Sequence, residues 1–183
     1  MLERQGYVVV VYADDYNAFK NHPAKLSNSL ILTSLRDAQE ELHQWGRANR
    51  VTFDAGKEHF AILSTTDSHG EVFRMLGVKI DAKLHMGFAV RECAHEASWR
   101  LRTLLRTRRL HMTSELILLF KSHILSYLEY RTPAVYHAAM TVLEPLDQVL
   151  RSFLCNVGIS DVEALMSFNL APLASRRDRK SVV

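Results

Sequence analysis

Cysteine is nearly missing from this chain: Cys93 and Cys155 are the only two. They lie far apart and neither belongs to a Cys-x-x-Cys pair, which excludes a disulfide framework and a zinc ribbon and leaves two buried thiols as the expectation. Long apolar runs are missing as well. None approaches the roughly 20 residues that cross a bilayer, and the opening Met1-Leu2-Glu3-Arg4-Gln5-Gly6 lacks a signal-peptide layout. A soluble, intracellular protein without a membrane partner is expected, its compartment within the cell, nuclear or otherwise, left open. No low-complexity tract and no internal repeat occurs, so neither a disordered segment nor a solenoid is indicated. The histidines are scattered: His111, His123 and His137 have no ligand spacing and Cys93-Ala94-His95 has no partners, which leaves core or surface histidines.

What is present is a globular composition, 48% hydrophobic and 23% charged, in 183 residues. That length is enough for one substantial core or two small ones. The net charge of +3 is unevenly placed. Between Ser98 and Arg131 stand seven basic residues against only Glu115 and Glu129. Local positive charge of that kind suits a polyanion such as a nucleic-acid backbone, and suits equally a solvated helix face.

Tyr7 to Tyr12 is a β-branched and aromatic run closed by Asp14-Asp15, which predicts a strand ending in a turn, with Tyr16 to Lys20 as the return. Its four consecutive valines predict a strand buried on both faces in the middle of a sheet. Ile31, Leu35, Ala38, Leu42, Trp45 and Asn49 then recur at steps of four and three, one stripe of an amphipathic helix of about 18 to 20 residues, with Trp45 in the core. Val51-Thr52-Phe53, Phe60 to Leu63 and Val72 to Ile80 read as further strands. From Val90 the period is helical throughout. Ala94, Ala97, Leu101 and Leu104 or Leu105 form one stripe; Leu116, Leu119, Phe120, Ile124, Tyr127 and Leu128 form a second, with Thr113 or Ser114 as its N-cap; Leu146, Val149, Leu150, Phe153 and Leu154 form a third, stopped near Gly158. Ser160 and Glu163 fit a capping box. The expectation is an α+β fold in two parts, 1–87 with an antiparallel hairpin, one helix and two or three strands, and 88–183 all-helical.

Paired carboxylates at a hairpin tip repel and shift each other's pKa, a cost that a bound divalent cation would remove. Asp is also favoured in turns for local hydrogen-bonding reasons. The downstream sequence decides between the two. Tyr12-Ala13-Asp14-Asp15, the helix closed by Trp45-Gly46-Arg47-Ala48-Asn49, Val51-Thr52-Phe53 before Lys57, and Phe73-Arg74-Met75-Leu76-Gly77-Val78-Lys79-Ile80-Asp81 follow in an order that resembles the reverse transcriptases of non-LTR (LINE-type) retrotransposons. The likeness is specific from Tyr12 through Asp81 and looser beyond.

That resemblance implies the C-terminal half of a polymerase palm followed by a thumb. It implies two-metal nucleotidyl transfer with Mg2+, an RNA template, a DNA primer and deoxynucleoside triphosphates. Asp14 and Asp15 would be metal ligands and catalytic residues, with Asp14 the direct ligand, and Lys57 would protonate the leaving pyrophosphate. Leu76 and Gly77 would belong to the primer-grip strand, Gly77 letting another backbone approach closely. Arg102, Arg106 and Arg109, at steps of four and three on one helix face, would contact template–primer phosphates. The family also has an aspartate on an earlier strand and fingers before it. Eleven residues precede Tyr12 and Glu3 is the one acid among them, so this polypeptide alone is expected to show no polymerase activity. The alternative is a non-catalytic nucleic-acid-binding module derived from a retroelement.

Overall fold

A computed structural model describes residues 2–64, 66–70 and 72–180, with the backbone alone at 55 and 178–180. The chain divides into two compact units, Met1–Glu71 and Val72–Val183, and the fold is mixed α+β with two small antiparallel sheets. No helix among the described residues is long and apolar enough to cross a membrane.

In the first unit a 3-10 turn over Leu2–Gln5 precedes β1 (Val8–Tyr12) and β2 (Asp15–Phe19). These pair antiparallel, with Val8 opposite Phe19 and Tyr12 opposite Asp15, leaving a two-residue loop of Ala13 and Asp14. A period of two sends alternate side chains to opposite faces. Tyr7 is buried and Val9, Tyr16 and Ala18 are partly buried in a small core with Leu2, Leu35 and Ala38, the last two from α1 (Asn28–Asn49). The Tyr7 hydroxyl lies 3.2 Å from both the carbonyl and the hydroxyl of Ser34, which fixes hairpin to helix.

Here the valine expectation is corrected. Val8, Val10 and Val11 are 65%, 49% and 61% exposed. β1 has one hydrogen-bonded neighbour, β2, and the sheet has two strands, so apolarity on both faces finds a covering layer on one side at most. Trp45 is also exposed, at 44%.

α1 ends in a Schellman arrangement: Arg50 adopts φ 59° and the Val51 N–H donates to the Gly46 carbonyl at 2.8 Å. Asn49 reinforces it by donating to the Trp45 carbonyl at 2.8 Å. The chain folds back so tightly that a Cβ on Gly46 would stand 2.7 Å from the Val51 oxygen and 2.8 Å from the Phe53 ring. This return explains why Val51-Thr52-Phe53 is not the expected strand: its groups close the helix, and Phe53 lies against His43 at 5.6 Å between ring centroids. Phe60 to Leu63 also fails to form a strand; Ile62 makes one isolated bridge, to His69.

The second unit opens with β3 (Phe73–Met75) and β4 (Val78–Ile80), paired antiparallel. Helices follow: α2 (Gly87–Arg106), α3 (Thr113–Phe120), a π-helical turn over Lys121–Leu125, α4 (Ser126–Val135), α5 (Met140–Val157), α6 (Asp161–Phe168) and α7 (Leu173–Lys180). Most residues of the expected stripes are buried, with Leu104, Leu105, Leu119 and Tyr127 half-buried. Ala94, Ala97 and Leu101 of α2 join Leu116, Phe120, Ile124 and Leu128 and, from α5, Leu146, Val149 and Phe153 in one continuous core. Phe120 and Phe153, both fully buried, stack at 4.1 Å.

Helix ends follow local chemistry. Thr113 is the first residue of α3 rather than its cap; that position is Met112, whose N–H donates to the Glu115 carboxylate at 2.9 Å. Ser160 caps α6 by accepting from the Glu163 N–H at 3.2 Å, the backbone half of the expected box. Arg177, 7% exposed, holds α7 to α5 through two bonds to Asp147 of 2.8 and 2.9 Å. Cys93 is buried and Cys155 exposed, so the expectation of two buried thiols holds for the first and fails for the second.

Candidate metal hairpin and basic helix

The first candidate site is the tip of the β1–β2 hairpin. Tyr12 and Asp15 are the last paired residues, so Ala13 and Asp14 form the loop, the tightest connection two antiparallel strands use. Ala13 sits at φ 54°, a region that side chains with a Cβ seldom adopt. Asp14 and Asp15 are both exposed, and among the described residues neither enters an ion pair or a side-chain hydrogen bond. Behind them, burial raises the Tyr16 phenol above its ordinary pKa, with the charges of Glu3 and Glu41 adding to the effect.

Two adjacent, unengaged, hard oxygen donors fit magnesium, which retains waters and takes one or two carboxylates from a protein. Among the described residues no three His, Cys, Asp or Glu side chains converge as a metal site, so the hairpin offers a pair of carboxylates. Lys57 is not brought to them by any hydrogen bond or ion pair of the described residues. It lies in a 3-10 turn, Ala55–Lys57, with its side chain 85% exposed and its Nζ 3.4 Å from Asp54 Oδ2.

Leu76 and Gly77 belong to the second unit and are placed differently from the expectation. They form the loop between β3 and β4, with φ 46° and 80°, not the interior of a strand. Positive φ at both central residues is what a tight hairpin loop of this handedness requires. A Cβ on Gly77 would meet nothing within 4 Å, so its glycine answers a backbone angle, not a close approach. Tyr130 of α4 anchors the loop, donating from its hydroxyl to the Leu76 carbonyl at 3.0 Å.

No family model, curated protein or solved structure matches this chain.

The second candidate site is the basic segment, and its charges divide in two. Arg100 bonds Glu96 at 2.9 Å, and Arg100 and Arg131 each lie 4.0 Å from the Tyr127 ring. Lys121 donates to the Phe168 carbonyl. Arg100 thereby ties α2 to α4 and Lys121 ties the π-helical turn to α6, while Arg131 packs on a ring of its own helix. Arg102, Arg106, Arg108 and Arg109 are instead exposed, and among the described residues they enter no ion pair. Arg102 and Arg106 share a face of α2, while Arg109 lies beyond its end, in a 3-10 turn over Arg108–Leu110. Sequence reasoning stopped too soon on this face. Stepping back from Arg102 by three, four and four reaches Trp99, His95 and Arg91, all exposed; the spacing that singled out the arginines would have found them.

Proposed function

We propose that this chain is part of an RNA-directed DNA polymerase of the non-LTR retrotransposon type, its first unit carrying the metal hairpin of a palm and its second the primer-grip segment at Leu76-Gly77 followed by thumb-like helices. The observation that carries the reading is the hairpin: Tyr12-Ala13-Asp14-Asp15 forms the tight tip of two antiparallel strands, with both carboxylates exposed and unengaged. The order of hairpin, helix and later helices adds support, whereas the strands implied at Val51-Thr52-Phe53 and across Leu76-Gly77 are replaced by a helix-closing return and a hairpin loop.

In this reading Asp14 and Asp15 hold Mg2+, and bound there the ion would supply charge stabilisation to the attacking and leaving oxygens of phosphoryl transfer. The chain's own contribution is a hairpin held on α1 that places the two aspartates in succession at its tip. Lys57 is free to turn toward a leaving group, because its partnership with Asp54 is exposed and weak.

The metal reading is tested with Mn2+ as a paramagnetic probe in NMR of the whole chain. Selective broadening of amides from Val11 to Asn17 is expected, and its persistence in an Asp14→Asn, Asp15→Asn variant would reject the site. Primer extension on an RNA template with magnesium should give no product from this polypeptide alone. Product that Asp14→Asn abolishes would show the carboxylate pair to be sufficient.

A second reading, a nucleic-acid-binding module without catalysis, is favoured by the unpaired arginines of α2 and the turn after it. It predicts binding that weakens steeply with salt and is indifferent to Asp14→Asn.

A further inference from the structure

Along the solvent side of α2, Arg91, His95, Trp99, Arg102 and Arg106 recur at steps of three and four, all exposed. That spacing lines them up on one helix face, about 22 Å from first to last at 1.5 Å per residue. The opposite face carries Ala94, Ala97 and Leu101 into the core. Trp99, 56% exposed, therefore adds nothing to that core and stands in the middle of a row of cations.

The cations on this face are uncompensated. Both carboxylates of α2 are engaged off the row, Glu92 by Lys79 and Glu96 by Arg100, each at 2.9 Å. Arg91, Arg102 and Arg106 have no ion pair among the described residues, whereas Arg151, Arg176 and Arg177 pair with Glu144, Glu129 and Asp147. The latter three arginines are neutralised, while this row, like Arg108 and Arg109 just beyond it, has no carboxylate partner among the described residues.

A polyanion would satisfy the charge, and the indole determines which kind. A duplex shows phosphates outward and keeps its bases stacked on each other, so an exposed indole between arginines gains little from it. A single strand offers free base faces. Stacking on an aromatic side chain, with cations gripping the phosphates beside it, is how single strands are held without regard to sequence. We propose that this face of α2 binds single-stranded nucleic acid, one base stacking on Trp99 and the flanking phosphates held by Arg91 on one side and by Arg102 and Arg106 on the other. The inference rests on the nucleic-acid-binding reading and is independent of the aspartate hairpin.

The test uses the whole chain carrying Trp45→Phe, which leaves Trp99 as the one indole, since the sequence has two tryptophans. Fluorescence is titrated with oligo(dT), oligo(U) and a blunt DNA duplex, each about 15 nucleotides long. Saturable quenching by either single strand is expected, at an affinity at least tenfold above that for duplex. In anisotropy with labelled oligonucleotide, Trp99→Ala should weaken binding about tenfold and leave the salt dependence unchanged, and Trp99→Phe should recover most of the loss. Replacing Arg102 and Arg106 together by Ala should instead lower the slope of log K against log salt by about 0.7 per arginine. Circular dichroism confirms folding, as each altered side chain is exposed. Duplex bound as tightly as single strand, or binding unmoved by Trp99→Ala, overturns the inference and leaves nucleic-acid binding standing. Absence of binding to all three probes overturns both.

Discussion

Val8 to Val11 in the first unit and Leu116 to Leu119 in the second are runs of equal length and similar apolarity. In β1 three of the four valines stay largely exposed, while in α3 Leu116 and Ile117 are 5% and 2% exposed and contribute to a core that also takes in α2 and α5. Apolar sequence creates the demand for burial, and a second layer of structure satisfies it. The helical unit supplies that layer from its own elements. A two-stranded hairpin is marginal by itself, and β1–β2 persists through Tyr7, Val9, Tyr16 and Ala18 resting on α1.

The contrast can be broken most forcefully from the helical side. Phe153→Ala removes a fully buried ring from its stack on Phe120 and should cost about 3–5 kcal/mol, read as a lowered urea midpoint by far-ultraviolet circular dichroism. Smaller and confined to the other unit, Gly46→Ala forces a Cβ against the Val51 carbonyl and the Phe53 ring and should cost about 1–3 kcal/mol. Hydrogen exchange would show it as lost protection in α1 with α2 unaffected; equal loss in both would break the division into units.

The thiols compare the inside and outside of the helical unit. Burial pushes Cys93 from 9.0 up to about 11, while Cys155 is exposed. A thiol reagent at neutral pH should label Cys155 rapidly and Cys93 only on unfolding. Between pH 9 and 11 the unfolded chain releases the Cys93 proton and the folded one keeps it. The stability tied to the protonated thiol is therefore whole below pH 9 and declines as pH rises to 11. A midpoint unchanged by Cys93→Ser across that window would refute the assignment. The smallest effect is a gain: Ala13→Gly relieves the positive φ at the hairpin loop for a net of about 0.5 kcal/mol, seen as a slightly raised thermal midpoint.

Periodic apolarity made the helices legible in the sequence, because stripes such as Ala94, Ala97 and Leu101 depend only on spacing along one element. The first hairpin was legible as well, and the second only as an apolar run read as strand throughout. What escaped were features set by partners. Four valines cannot announce that β1 has a single neighbour, and Val51-Thr52-Phe53 looks like a strand until its groups are seen closing α1. Leu76-Gly77 was assigned to a strand because the turn requirement, positive φ at two successive residues, leaves little trace when one of them is leucine. At the candidate sites residue identity was readable, and engagement was not. The sequence does not distinguish Arg100, bound to Glu96 and stacked on Tyr127, from Arg102, which has no ion pair among the described residues.

The exposed valines of β1, whose one strand neighbour among the described residues is β2, give Asp14 and Asp15 a second physical role. A strand of valines with strong β-propensity, without proline, and with three of its four valines largely exposed, is the kind of segment that recruits identical strands and grows into ordered aggregates. Charges placed at the end of such a segment act as gatekeepers, since stacking copies in register would bring like carboxylates together. Removing both aspartates therefore changes colloidal behaviour along with any ligand chemistry. In a doubly neutralised variant, loss of soluble protein at rising concentration is expected before any loss of function can be read.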